Sequence, residues 1–438
     1  MDNHVLSNIL LLLYTSVYVV FYIKLRKKRS FFGPTSLTLL VYAICGVCSI
    51  IVYNDNLLSS LYGGYGQLTL FPFVYLSIMV LANLQPTAKF EQYHELKIQR
   101  PSNQIIVVFL FVYAACSLAL LPNTLARIED GLQVLFYSNY GGQDLYTEGQ
   151  LDLDRNVFKY NGIQSILSVI CESFNEIAIL LMFYYLTFSK KNKLLIVLLP
   201  IVFAADLLKP IASGQRTGIV MSILSIVLCY LLFRRYWNRR VQKTASRVLV
   251  IFLIVVSVPY VALTLSRFSG SQQGTTGSTL SYVGQANLNF NLYCLDAGGT
   301  RHGDRVTRGF KSVLGLETTA GTRDTRDKYS TTMIIDDSVF YTYVGDFTLD
   351  FGPFPAAIIL LLFAIFVSLA TRIDGHHIKF HQLLVLYFAL AISLKGSFHL
   401  FPYSYSGNQV IIALFVMYLV FKIDSMSTSH HTFLAVSH

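Results

Sequence analysis

The chain has 438 residues, of which 54% are hydrophobic and only 13% charged. Soluble domains carry about a quarter of their residues as charges, so this composition excludes an ordinary soluble globule and points to a protein built within a bilayer. The formal charge of +10 requires no nucleic-acid partner, because a membrane protein gathers basic residues on one side.

Apolar stretches of roughly 17–25 residues recur along the chain, the length a helix needs to cross a hydrocarbon core. They predict an all-α polytopic membrane protein with about eleven transmembrane helices. These lie near 5–23, 31–53, 67–85, 104–121, 161–188, 194–211, 217–233, 248–265, 353–371, 382–402 and 407–421. The opening MDNHVLSN lacks the basic region of a cleavable signal, so the first span is expected to stay.

The basic stretches KLRKKR (24–29), KKNK (190–193) and RRYWNRRVQK (234–243) share one side, which holds most of the 34 Lys and Arg. The segment NDNLLSSLYGGYGQ (54–67), on the other side, has none. The basic side is therefore expected to be cytoplasmic, with the N-terminus outside and the C-terminus inside. This divides the chain into helices 1–4 (1–121), an outer loop (122–160), helices 5–8 (161–265), a larger outer loop (266–352), and helices 9–11 with a cytoplasmic tail (353–438). Loops of this length are functional or disordered. The larger one has too many apolar and aromatic residues, as in LSYVGQANLNFNLYCL and DDSVFYTYVGDFTLDFG, to be a disordered tether. It is expected to form short helices on the outer membrane face.

Cys45, Cys48, Cys116, Cys171 and Cys229 fall within spans, where they pack as small hydrophobes. Cys294 is alone outside, so no disulfide framework is implied. No internal repeat is visible, which argues against a transporter made of two related halves.

Polar residues in and beside the spans are the candidates for chemistry. Glu172, Asn175 and Glu176 have helical spacing on one face of the fifth span. Counting about 20 residues back from Phe188 places Glu172 just inside the outer boundary. A carboxylate there acts as a base, partners an outer arginine, or hydrogen-bonds between helices. Arg216, in the SGQRTG turn, and Arg267, in TLSRFSG, are outer arginines next to spans, where bidentate contact with a diphosphate suits a guanidinium. Arg301, Arg305 and Arg308 of RHGDRVTR would share a face if helical. The alternative for these arginines is pairing with lipid headgroups or with loop acids such as Asp304. His302, kept neutral by surrounding positive charge, suits a general base for a sugar hydroxyl. Asp346 and Asp350, in YVGDFTLDFG, are competing bases. Lys395 and His399 are four apart and either face one cavity or leave Lys395 to snorkel; Tyr403 beside them either joins that site or an interfacial belt. The DLD at 152–154 is too short to assign a metal, and no metal or other cofactor is expected.

These features resemble the Wzy-type polymerases of O-antigen and capsular polysaccharide, also called oligosaccharide repeat unit polymerases. The resemblance rests on the topology, on SGQRTGIV opening a span, on TLSRF just after one, and on YTYVGDFTLDFG leading into the ninth, with Asp350 and Gly352 in its acidic-aromatic-glycine step. It implies a GT-C-like, metal-independent, inverting glycosyltransferase of the bacterial inner membrane with its active site in the periplasm. The donor would be a growing glycan on undecaprenyl diphosphate and the acceptor an undecaprenyl-diphosphate-linked oligosaccharide repeat unit. Membrane lipids and a chain-length regulator would be its partners. Arg216 and Arg267 would hold the donor diphosphate. An Arg-x10-Gly repeat found in both outer loops of some relatives is not matched at Arg127 or Arg267. The rival readings are an O-antigen ligase, which shares the donor, and a flippase for lipid-linked sugars, which the large outer loop argues against.

Overall fold

A computed structural model describes residues 3–27, 32–59, 64–93, 95–137, 162–212, 214–268, 274–335, 339–373, 375–427 and 433–434. The first elements are α1 (Asn3–Lys27), α2 (Pro34–Asn54), α3 (Leu70–Gln92), β1 (Lys97–Gln99), α4 (Asn103–Tyr137), α5 (Ile163–Tyr185), α6 (Lys193–Ala212), α7 (Arg216–Phe233) and α8 (Arg239–Phe268). They are followed by α9 (Gly274–Asn289), α10 (Arg308–Val313), α11 (Thr322–Tyr329), α12 (Thr342–Phe351), α13 (Pro353–Ala370), β2 (His377–Lys379), α14 (Phe380–Lys395), α15 (Ser404–Ser427) and β3 (Phe433–Leu434).

Nine of the described helices, α1 to α5, α7, α8, α13 and α15, are long and apolar enough to cross a membrane. The architecture is that of a helical, multi-pass membrane protein. Two of the eleven predicted spans depart from that standard. α6 has 20 residues but carries Lys193, Asp206 and Lys209 together with two prolines. α14 has 16 residues, about 24 Å of helix against a core of roughly 30 Å. It stops at Lys395 rather than 402, and the carbonyls of Gly396 and Phe398 then accept the N–H groups of Tyr343 and Thr342 at the start of α12.

The all-helical expectation needs one correction. Three short strands form a sheet in the order β2-β1-β3, with β1 parallel to β2 and antiparallel to β3. All three come from segments outside the predicted spans. The loop expected from residue 122 also begins differently, because α4 continues through Arg127, Glu129 and Asp130 to Tyr137. Residues 138–161, including Asp152 and Asp154, lie outside the described residues.

The chain divides into two units. The first comprises Met1–His94, Ser271–Ile373 and Gln382–Asn408, and the second the remainder. In the first, the aromatic rings of α1, α2 and α3 interleave, with Tyr18 on Tyr42 at 5.1 Å and Tyr14 on Phe73 at 4.8 Å. Glu91 accepts the N–H of Thr35 at 2.5 Å, placing a carboxylate at the positive end of α2. The segment 266–352 does form short helices, but α9 is not laid on a surface. It packs along α2, where Ser49 Oγ donates to the Gly284 carbonyl at 2.7 Å and Asn287 accepts from Tyr14. A Cβ at Gly284 would sit 2.7 Å from the backbone of Cys48, so only glycine permits this approach.

In the second unit, polar side chains link α4, α5, α6 and α7. Tyr113 OH donates to Asn175 at 2.9 Å and lies 3.1 Å from Asp206, which is paired with Lys209 at 2.7 Å. Such groups inside apolar helices meet partners because nothing else there solvates them.

Candidate functional site

The first unit holds a dense charged cluster where residues 300–309 wrap the end of α12. Arg301 N–H donates to the Leu349 carbonyl and Gly303 N–H to that of Asp350, so the turn caps the free carbonyls of the helix. Gly303 has φ 79, and a Cβ on it would meet Thr307 Oγ1, which explains the glycine. The other side of the turn is held by α15. Asn408 accepts from Gly309 N–H and donates to the Val306 carbonyl, and Ser404 N–H donates to the Arg305 carbonyl.

Arg301 Nε lies 2.6 Å from Asp350 Oδ1, and Arg305 Nε 3.0 Å from Asp346 Oδ1. Arg301 also donates to Tyr341 OH at 2.9 Å and to the Asp346 carbonyl. Asp350 Oδ2 accepts from the backbone N–H of Val306 at 2.6 Å, and Asp346 Oδ2 from that of Leu400 at 2.6 Å. The carboxylates are fully buried. Two like charges four residues apart on one helix repel, and two buried guanidiniums balance them.

The sequence expectation for the arginines is therefore corrected. Residues 301–307 form turns rather than a helix, and the three arginines do not present one face to solvent. Arg301 and Arg305 meet loop acids, Asp346 and Asp350 rather than Asp304. Arg308 turns the other way, donating to the Gly321 carbonyl and Thr325 Oγ1. Asp346 and Asp350, expected as bases, are enclosed by arginines and backbone N–H groups that occupy their carboxylate oxygens.

Asp304 organises a second network, receiving hydrogen bonds from Lys311, from Lys328 at 3.1 Å and from Tyr329 OH at 2.8 Å. Burial alone would raise its pKa, but these donors outweigh it and hold the carboxyl below the usual range. The bond to Asp304 in turn raises the Lys328 ammonium.

Beside these networks is a cavity of about 320 Å³ lined by Arg301, Arg326, Tyr329, Ser330, Met333 and Leu349, among others. His302 is exposed and held at φ 50, an uncommon backbone region for a residue other than glycine. Its ring lies 6.3 Å from that of Tyr329 in the cavity wall, and its Nδ1 is 3.2 Å from Thr300 Oγ1.

The remaining candidates are distributed as follows. Lys395 is buried with its Nζ 4.3 Å from the Phe401 ring, so it does not snorkel. His399 stacks on Phe340 at 5.4 Å, and Tyr403 covers the Arg305 guanidinium at 4.8 Å. Tyr403 thus joins the charged cluster rather than a belt. In the second unit, Glu172 is exposed and bonded to Ser168 on its own helix, whereas Glu176 accepts from Ser225 Oγ on α7. Glu172, Asn175 and Glu176 therefore do not converge, and Asn175 and Glu176 take the interhelical role. Arg216, the first residue of α7, is 3% exposed. Arg267 is in the last turn of α8, but its side chain lies outside the described residues.

Tyr341, Asn408, Lys311 and Lys328 were not anticipated, since nothing local distinguishes them from other polar residues of the chain. The Asp206–Lys209 pair was missed as well, although opposite charges three apart in an apolar helix are a signal that could have found it. No family model matches the chain, nor does any curated protein or solved structure.

Proposed function

We propose that this protein joins lipid-linked oligosaccharide repeat units in the bacterial inner membrane, moving a growing glycan from undecaprenyl diphosphate to an acceptor repeat unit. The observation that carries the reading is the 320 Å³ cavity of the first unit, with an accessible histidine in a strained backbone conformation beside its wall. Strain of this kind persists where the surrounding structure enforces it, and it is concentrated at working sites.

In the proposed reaction an acceptor hydroxyl attacks the anomeric carbon of the donor. A new C–O bond forms, the bond from that carbon to the diphosphate oxygen breaks, and the electron pair leaves with the diphosphate. The hydroxyl proton passes to His302 Nε2. The buried Arg–Asp lattice keeps the cavity wall rigid, and cationic Arg326 offsets charge on a phosphate-bearing substrate. The transfer inverts the anomeric centre and draws on no metal.

The test uses purified protein with lipid-linked repeat units, read as a ladder on a gel. His302→Asn is the informative variant, because asparagine tolerates a left-handed backbone but cannot serve as the base. Loss of the ladder with unchanged helical content is expected. An unchanged ladder removes His302 from the reaction, and no ladder from the unaltered protein overturns the reading. A deletion strain separates the rivals: single-repeat surface glycan marks a polymerase, whereas accumulated lipid-linked polymer marks a ligase.

A further inference from the structure

The second unit contains a separate cavity of about 390 Å³ beside the small sheet. Its walls come from Arg100 after β1, the turn after α5, residues 236–238 between α7 and α8, and β3. The distribution of basic residues assigns all four connections to the cytoplasmic side.

Three features of this cavity point to an anion. Arg100 and Lys191 both line it, and no carboxylate is among the described lining residues. Trp237 is 2% exposed, and its buried indole N–H has no hydrogen-bond acceptor among the described residues. Arg100 Nε is likewise buried with no acceptor among the described residues. Buried donors without acceptors are rare, and each calls for an explanation. Trp237 cannot easily turn away, because its ring stacks on Phe183 at 6.0 Å and meets Tyr230 edge-on at 5.7 Å. Burial also pushes the Lys191 ammonium toward its neutral form, a tendency a bound anion would reverse.

We propose that this cavity binds a phosphate-bearing anion, held by the Arg100 guanidinium, the Lys191 ammonium and the Trp237 indole N–H. Guanidinium and ammonium groups are the usual phosphate partners. The Asn238 side chain is part of the polar lining, and Phe188 and Phe433 give an apolar wall for the organic part of a phosphate ester. The phosphate comes from a lipid headgroup or from a soluble ester. The site stands apart from the glycosyl-transfer reading, and neither depends on the other.

Trp237 is the sole tryptophan of the chain, so its emission reports on the cavity directly. The full-length protein in phospholipid-free detergent is titrated with inorganic phosphate and diphosphate. In parallel it is placed in phosphatidylcholine nanodiscs with and without phosphatidylglycerol. Binding is followed by Trp237 emission and, for the soluble anions, by calorimetry. A saturable response is expected, weakened about 10-fold or more by Arg100→Gln and by Lys191→Gln, the loss of one charge-assisted hydrogen bond. A response to the soluble anions identifies a soluble ester, and one confined to phosphatidylglycerol discs identifies a headgroup. No binding of either class, or equal responses in the variants and the unaltered protein, overturns the proposal.

Discussion

Arg301 and Asp350 form an ion pair of 2.6 Å in which both side chains are almost completely excluded from solvent. Breaking a buried pair from one side strands a charge and typically costs about 3–5 kcal/mol, while replacing both partners with apolar groups costs far less. Asp350→Leu alone is therefore expected to lower the unfolding midpoint markedly, and Arg301→Met with Asp350→Leu to recover much of the loss. A double-mutant cycle from thermal melts in detergent checks this. Additive effects would show that the pair is not coupled.

Asp304 predicts a pH dependence with a definite sign. Its folded-state pKa lies below the unfolded value, so its contribution is fully present above about pH 4 and is lost as pH falls through the folded value. Lys328, raised by the same bond, contributes below its unfolded value and loses that contribution as pH rises through the folded one. Thermal midpoints of the unaltered protein should therefore drop on the acid side more steeply than those of Asp304→Asn. Parallel acid limbs would contradict the network.

Gly284 should not tolerate a side chain. An added Cβ would meet the Cys48 backbone, which cannot swing aside as a side chain would. Gly284→Ala is expected to destabilise by about 1–3 kcal/mol, the usual cost of overpacking, read as a lower melting temperature. An unchanged midpoint would mean that α9 can lift from α2 at no cost.

Thiol labelling tests the orientation, though not at the native cysteine. Cys294 is 1% exposed, so an impermeant reagent should leave it unmodified in the folded protein. Glu317→Cys, at an exposed position of the same segment, should label in intact spheroplasts. Thr244→Cys, exposed near the start of α8, should label only after permeabilisation. The reverse pattern would invert the topology.

Arg216 is buried at the N-terminus of α7, where a mere headgroup anchor would be exposed. If it grips the donor diphosphate, Arg216→Lys keeps the charge but loses the planar fork. One lost charge-assisted hydrogen bond slows polymerisation by roughly 10- to 150-fold. Rates are compared at equal protein content, and Arg216→Ala should be at least as slow. A wild-type rate in both variants would show that this arginine takes no part in the reaction.

The helices were legible because burying apolar length in hydrocarbon is a local property: a run of about 20 apolar residues reads the same whatever lies beside it. Counting Lys and Arg also requires no partner, and it supplies the expected sidedness that thiol labelling tests. The fate of each charge was not legible. Arg301 meets Asp350, and Arg305 meets Asp346, only because the 300–309 turn closes over the end of α12 and Asn408 holds it there. A guanidinium suits a phosphate or a carboxylate equally well, and its choice depends on what the fold brings within about 3 Å. The same is true of β1, β2 and β3, too short to register as strands until three distant connections meet. Composition and run length settled that this chain is a multi-pass helical protein. Tertiary structure decided which of its arginines are locked into ion pairs and which border a cavity, because desolvation and ion pairing depend on neighbours distant in sequence.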